Sequence, residues 1–489
     1  MKLAVIGGGS TYTPELADGL GRLAPAVTEV VLIDPDETRL AAVGPVSQRI
    51  MRRHGHPATV RWTSDADDGL DGAGAVLIQL RVGGQAARNR DETWPLDFCC
   101  VGQETTGAGG LAKALRTVPL VLELADLARR RAAPGAWIID FTNPVGIVTR
   151  ALLDAGHRAV GLCNVAIGFQ RYFASLLGVA PDRVTLDHVG LNHLTWERAV
   201  LVDGADRLPE IMSLHGDEVA GHVGLRRGVL DEVGVVPSYY LRYFYGHDEV
   251  VAEQRTSPTR AAEVTAIEQE LLRLYADPAL DVKPDLLAQR GGAFYSEAAV
   301  ALLAALLPRG ASPPLRPPKG GETPLSPPFP GEPGTPRRAP GSPADRAGDN
   351  PPGPRAHPPT GLGKTGLGLP PTGLGTTPPN VQVVNMRNNG TLPFLADDAV
   401  IEGPAVIGSG GPVPVPAAPV PPVLRGLIAH VSAYEELAVA AATRGGRSRV
   451  TAALLAHPLI GQYPLARDMA GRLIAENADF LPYARGGGA

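Results

Sequence analysis

Cysteine is almost missing from this chain. With Cys 3 in 489 residues there is no disulfide framework, so stability must come from a packed core, and a reducing cytoplasm is the expected setting. No CxxC or HExxH spacing occurs, which leaves a closed structural zinc site without support. Positive charge is not in surplus either: Lys+Arg 45 against Asp+Glu 50 gives a net charge of -5. Binding to nucleic acid draws most of its affinity from clustered cations, so no nucleic-acid partner is expected. Long apolar runs are also lacking. The segment 298–307 reaches about half of the roughly 18 to 20 residues that cross a bilayer, and 403–424 is broken by prolines, so no membrane partner is expected. The first apolar run, Leu3 to Ile6, meets glycines too early for a signal peptide.

Proline and glycine, at Pro 48 and Gly 59, are abundant instead. Nearly half of the prolines fall between Pro308 and Asn380, mixed with Gly, Arg, Ser and Thr. Such a stretch buries too little apolar surface to offset its ordering entropy, so 308–380 is expected to be a disordered insertion. A linker between domains and a shifted reading frame are the competing explanations. Before it, short apolar runs alternate with helical patterns: Leu3–Ile6, Val30–Ile33, Ala75–Leu80 and Trp137–Asp140 as strands, Pro14–Leu23 and Val118–Arg130 as helices. That alternation predicts a parallel sheet covered on both faces. Helical patterns dominate later, at Glu263–Tyr275 and Arg425–Ala442. The expected class is α/β: a Rossmann-type parallel-sheet domain over 1–165, then a mixed α+β, largely helical second domain over 166–489.

Between the first strand and the first helix lies Gly7-Gly8-Gly9-Ser10-Thr11. Glycines there let the backbone approach a pyrophosphate, and the helix start offers free N–H groups and a positive dipole end. Asp34, at the end of the second strand, stands where a carboxylate accepts hydrogen bonds from an adenosine ribose. Gly7, Gly9, Ser10, Thr11 and Asp34 therefore predict an NAD site, although Tyr12 replaces the third glycine of the usual fingerprint. Arg88, Glu104 and Asn143 follow later strands, at the sheet end where open α/β folds bind ligands. Cys163 and His193 are too far apart in sequence to imply a metal by spacing alone. Four tyrosines over 239–245 read either as an aromatic helix face or as a source of a phenol base.

Taken together, these motifs resemble family 4 of the glycoside hydrolases. The likeness is carried by VIGGGSTYTPEL from Val5, LRVGG from Leu80, GQETTGAGG from Gly102, FTNPVG from Phe141, GLCN from Gly161 and GLNH from Gly190. SYYLRYFY from Ser238, PTRA from Pro258 and VNMRNNG from Val384 complete it. Within the family the chain is most similar to the 6-phospho-β-glucosidases. Family 4 is an NAD-dependent exception to glycoside hydrolysis by paired carboxylates. The resemblance implies NAD and a divalent metal, manganese first, held by Cys163 and His193. It implies Tyr240 as the catalytic base, with the register against Tyr239 open by one, and Glu104 as an acid acting on that tyrosine. Arg88, Asn143, Asn164 and Arg260 match substrate-binding positions, Arg260 for a 6-phosphate and Asn164 as a mark of β specificity.

The implied reaction is transient oxidation at C3, removal of the C2 proton by Tyr240, elimination of the aglycone and addition of water. The substrate would be a phosphorylated disaccharide or β-glucoside, and the enzyme a homodimer or homotetramer. An α-linked or unphosphorylated substrate, a hydroxy-acid dehydrogenase and an inactive NAD-binding protein are the alternatives.

Overall fold

A computed structural model describes residues 1–23, 26–292, 294–307 and 380–485. The insertion expected at 308–380 lies outside them apart from Asn380. Six strands open the chain: β1 (Lys2–Ile6), β2 (Glu29–Ile33), β3 (Thr59–Thr63), β4 (Ala75–Ile78), β5 (Trp137–Asp140) and β6 (Ala159–Gly161). They pair in parallel in the order β3-β2-β1-β4-β5-β6. β4 and β5 are buried along their whole length, which explains their unbroken apolar sequence: helices cover both faces of a parallel sheet. β3 was not legible in the sequence because it is the edge strand, with Thr59 and Trp62 exposed and no apolar run.

The remaining strands are β7 (Val184–Leu191), β8 (Leu194–Val202), β9 (Ala205–Asp206), β10 (Val236–Pro237), β11 (Val381–Arg387), β12 (Val400–Gly408) and β13 (Gly411–Pro414). They extend the same sheet. β11 pairs antiparallel with β6 and β12, β12 with β7, β7 with β8, and β8 with β10. Residues from beyond the insertion thus sit between β6 and β7.

Helices flank this sheet. Gly107–Arg131 begins well before the expected Val118, because its glycines lower local helix propensity while packing in the core supports it. The expected helix at Glu263 begins at Arg260, and the one at Arg425–Ala442 spans Pro422–Arg444. No aromatic helix face forms at the tyrosine run: Tyr239–Leu241 is a 3-10 turn, followed by the single helical turn Arg242–Tyr245.

The main core joins Val5, Leu32, Val76 and Ile139 of the parallel strands to Met386 and Ile401 of the later ones. A second cluster forms around Phe169, Phe173, Val200 and Ile211. Its two phenylalanine rings stack at 5.5 Å, and truncating such a buried ring costs about 3–5 kcal/mol. Among the described residues no helix is long and apolar enough to cross a membrane.

Candidate functional site

Strand order reverses between β1 and β4, and the crevice at their C-terminal ends opens into a cavity of about 910 Å³. All the residues singled out in the sequence line it except Gly9 and Thr11. Gly7 has φ +79°, and a Cβ there would lie 2.6 Å from the Gln79 carbonyl oxygen, so only glycine lets the turn pass β4. Asp34 follows β2, and one of its carboxylate oxygens accepts the Gly9 N–H at 3.0 Å. Burial raises the Asp34 carboxyl above its ordinary value, against the hydrogen bonds from Asp36 and Gly9. Thr11 is fully buried and its carbonyl accepts the Tyr275 hydroxyl at 2.7 Å, so its place is in packing behind the turn. Tyr12, at the third-glycine position, reaches across to the Gly292 carbonyl.

At the other end of the cavity stand Cys163 and His193. Cys163 follows β6 and precedes the helix Val165–Leu177. His193 occupies the two-residue turn between β7 and β8 with φ +61°, a left-handed conformation uncommon for a side-chain-bearing residue. Its Nδ1 lies 2.9 Å from Thr105 Oγ1. Tyr240 stacks on the imidazole with ring centroids 3.6 Å apart and an interplanar angle of 6°. Tyr239 instead meets Arg242, whose guanidinium carbon stands 5.6 Å from its ring. Burial, with the Cys163, Tyr239 and Glu104 charges, pushes the Tyr240 phenol well above its usual value, and Arg88 pulls the other way. Burial brings the His193 imidazole down to about 4.

Glu104 is the electrostatic centre of the site. Burial opposes its ionisation, but Arg81, Arg88 and Lys113 hold it well below the usual carboxylate range. Arg81 pairs with one carboxylate oxygen, Lys113 Nζ reaches the same oxygen at 2.5 Å, and Arg88 Nε stands 3.3 Å from the other. Arg88 also meets Glu92 at 2.6 Å. Arg260 lines the cavity with its fork already engaged, by Glu263 at 2.8 Å and by the Gln289 carbonyl at 2.6 Å. Asn143 Oδ1 is buried without a hydrogen-bond partner among the described residues. Lys113 belongs to none of the motifs singled out in the sequence. Its one signal was a lone charge in the small and apolar stretch Gly107–Leu115. Burial, with Arg81 beside it, lowers its ammonium to about 7.

Fold and cavity define a dinucleotide-fold protein whose glycine turn and Cys–His–Tyr cluster share one chamber. The model of the family 4 glycosyl hydrolases matches residues 2–179, and that of the family's C-terminal domain matches 188–310 and 373–460. The chain belongs to family 4 of the glycosyl hydrolases. A Bacillus subtilis (strain 168) protein named "Probable 6-phospho-beta-glucosidase" is 31% identical over 99% of this chain and 97% of its own length. The Thermotoga maritima 6-phospho-β-glucosidase, solved with NAD and glucose-6-phosphate, is similar at a TM-score of 0.78 and 28% identity, covering 98% of this chain and 99% of that one. Another form of that protein, solved with manganese, NAD+ and glucose-6-phosphate, gives a TM-score of 0.77 at 27% identity over the same 98% and 99%. A phospho-α-glucosidase of Clostridium acetobutylicum is 30% identical over 43% of this chain and 49% of its own length.

Proposed function

We propose that this glycosidase hydrolyses 6-phospho-β-glucosides with NAD and a divalent cation, manganese first, as cofactors. The observation that carries the proposal is convergence: the Gly7–Asp34 cradle and the Cys163–His193 pair, with Tyr240 stacked on the imidazole, face one cavity. Both groups fit. The glycine turn, with Gly7 and Ser10 lining the cavity, and the half-buried Asp34 carboxylate suit a dinucleotide with a free ribose 2′-hydroxyl. A thiol and an imidazole suit a divalent cation. Among the described residues no group of three or more His, Cys, Asp or Glu surrounds one, which leaves coordination positions for sugar oxygens. When bound, the dinucleotide supplies a reversible hydride acceptor and the cation a Lewis acid.

The chain's own residues do the rest. The amides of the glycine turn bind pyrophosphate oxygens at the start of the helix Thr13–Leu23. Tyr240 takes the proton from C2 of the sugar. A neutral phenol is a weak base that burial keeps protonated, so Arg88, the cation that lowers its proton affinity, has a tuning role. Glu104 stays ionised and holds Arg81, Arg88 and Lys113 around the sugar pocket. Asn143 Oδ1, which has no partner among the described residues, accepts a hydrogen bond from a sugar hydroxyl. Arg260 binds the 6-phosphate by exchanging its contacts with Glu263 and Gln289 for phosphate oxygens. Asn164 lines the cavity next to Cys163 and favours the β anomer.

The test is release of p-nitrophenol from p-nitrophenyl β-glucoside 6-phosphate, with NAD+, Mn2+ and thiol each omitted in turn. Loss of turnover on each omission, without net NADH, supports the proposal. Full turnover without NAD+ overturns it. Relatives named as α-glucosidases favour a second reading, α specificity, so the α anomer is assayed alongside.

A further inference from the structure

Beneath the two turns that carry Cys163 and His193 runs a row of buried polar residues. These turns leave the sheet from β6 and β7, with β11 and β12 between them. Across the four strands Gly161 pairs with Asn385, Asn385 with Glu402, and Glu402 with Gly190. Gly190 has φ +145°, and a Cβ there would stand 2.1 Å from the Leu194 carbonyl oxygen, so the end of the row is closed to any side chain.

Glu402 is 1% exposed. Its carboxylate accepts hydrogen bonds from Asn192 Nδ2 at 2.9 Å and Asn385 Nδ2 at 3.0 Å, and lies 3.2 Å from His188 Nε2. His188 Nδ1 meets Glu197 at 2.6 Å, both side chains being fully buried. Burial works against a charged imidazole, but the two carboxylates raise His188 to about 10, so one imidazolium stands between two carboxylates. Asn192 directly precedes His193 in the turn between β7 and β8.

We propose that Glu402 is a positioning residue for the divalent cation held by Cys163 and His193, fixing Asn192, and with it the turn that carries His193, and supplying buried negative charge behind the pair. The inference rests on the cation site proposed above. A thiolate and a neutral imidazole bring one negative charge to a doubly charged ion, and a carboxylate hydrogen-bonded to the residue before His193 offsets part of the remainder. Outer hydrogen-bond partners of this kind are typically worth about 10- to 100-fold in metal affinity.

Isothermal titration of Mn2+ into the full chain with NAD+ present tests it, on the parent protein, Cys163→Ser, His193→Ala and Glu402→Gln. Glu402→Gln should weaken Mn2+ by about 10-fold or more, with the NAD+ dissociation constant unchanged. An unchanged Mn2+ dissociation constant in Glu402→Gln, while Cys163→Ser and His193→Ala lose the ion, overturns the inference alone. Mn2+ binding that survives in those two variants overturns the cation site and the inference with it. If Glu402→Gln does not fold, Glu402→Asp replaces it: that change keeps the charge but draws it back from Asn192. Weaker Mn2+ binding at unchanged NAD+ affinity supports the role, and parental Mn2+ affinity overturns it.

Discussion

Replacing Glu104 by glutamine removes the carboxylate on which three cations converge, and the cost can be worked from their other partners. Arg88 keeps Glu92 at 2.6 Å, and the Arg81 side chain is 26% exposed and can turn to water. Lys113 is 3% exposed, and Glu104 at 2.5 Å is its only ion pair among the described residues. Breaking a buried pair from one side costs about 3–5 kcal/mol, because the partner's charge is left uncompensated. Lys113→Met costs less, about 1–2 kcal/mol, since Glu104 retains two arginines. In the double variant neither charge is stranded, so the coupling between the two sites should be about 2 kcal/mol. Urea unfolding of the parent, both single variants and the double variant, followed by tryptophan fluorescence, measures it. Costs that add to within about 0.5 kcal/mol would refute the pairing. The sign with pH is also set. The Lys113 ammonium, already brought down to about 7, falls further once its carboxylate is gone. The unfolded chain stays protonated, so above about pH 7, where the folded lysine is neutral in both proteins, the penalty of Glu104→Gln should be smallest and constant, and it should grow as pH falls below about 7, where only the parent lysine gains a charge beside a carboxylate.

Tyr240→Phe should cut turnover by about 10²- to 10⁴-fold, the usual contribution of a positioned base, with NAD+ affinity intact; an unchanged kcat removes Tyr240 from the reaction. Arg260→Ala should raise KM for the phosphorylated glucoside far more than for the free glucoside, and an equal change in both would dismiss Arg260 as the phosphate ligand. His188 has its folded value raised from 6.5 to about 10, so its contribution to stability is fully present below pH 6.5 and is lost as pH rises through 10. His188→Gln should therefore destabilise most near pH 6 and least above pH 10, and thermal melts showing the opposite trend would contradict an imidazolium between Glu197 and Glu402. Phe173→Ala should cost about 3–5 kcal/mol in unfolding titrations, and a cost under about 1 kcal/mol would mean that the second core cluster is not close-packed.

The sequence by itself determined the local elements of the first half. β1, β2, β4 and β5 are largely apolar because both faces are covered, and the Gly7 turn and Asp34 follow their strands as the spacing requires. The motif likeness brought Cys163, His193, Tyr240 and Glu104 into view, and all four line one cavity. The tertiary structure alone decided what stands behind them. β11 and β12 enter the sheet between β6 and β7 although hundreds of residues separate their ends in the chain, and no local periodicity encodes such pairing. That placement sets Glu402 and Asn385 under the turns that carry Cys163 and His193, and the path of the helix Gly107–Arg131 sets Lys113 against Glu104. In sequence, a glutamate inside an apolar strand and a lysine inside a small-residue helix are single polar interruptions. They acquire meaning from the groups folded against them, because a buried charge is tolerated only where distant residues supply its partners.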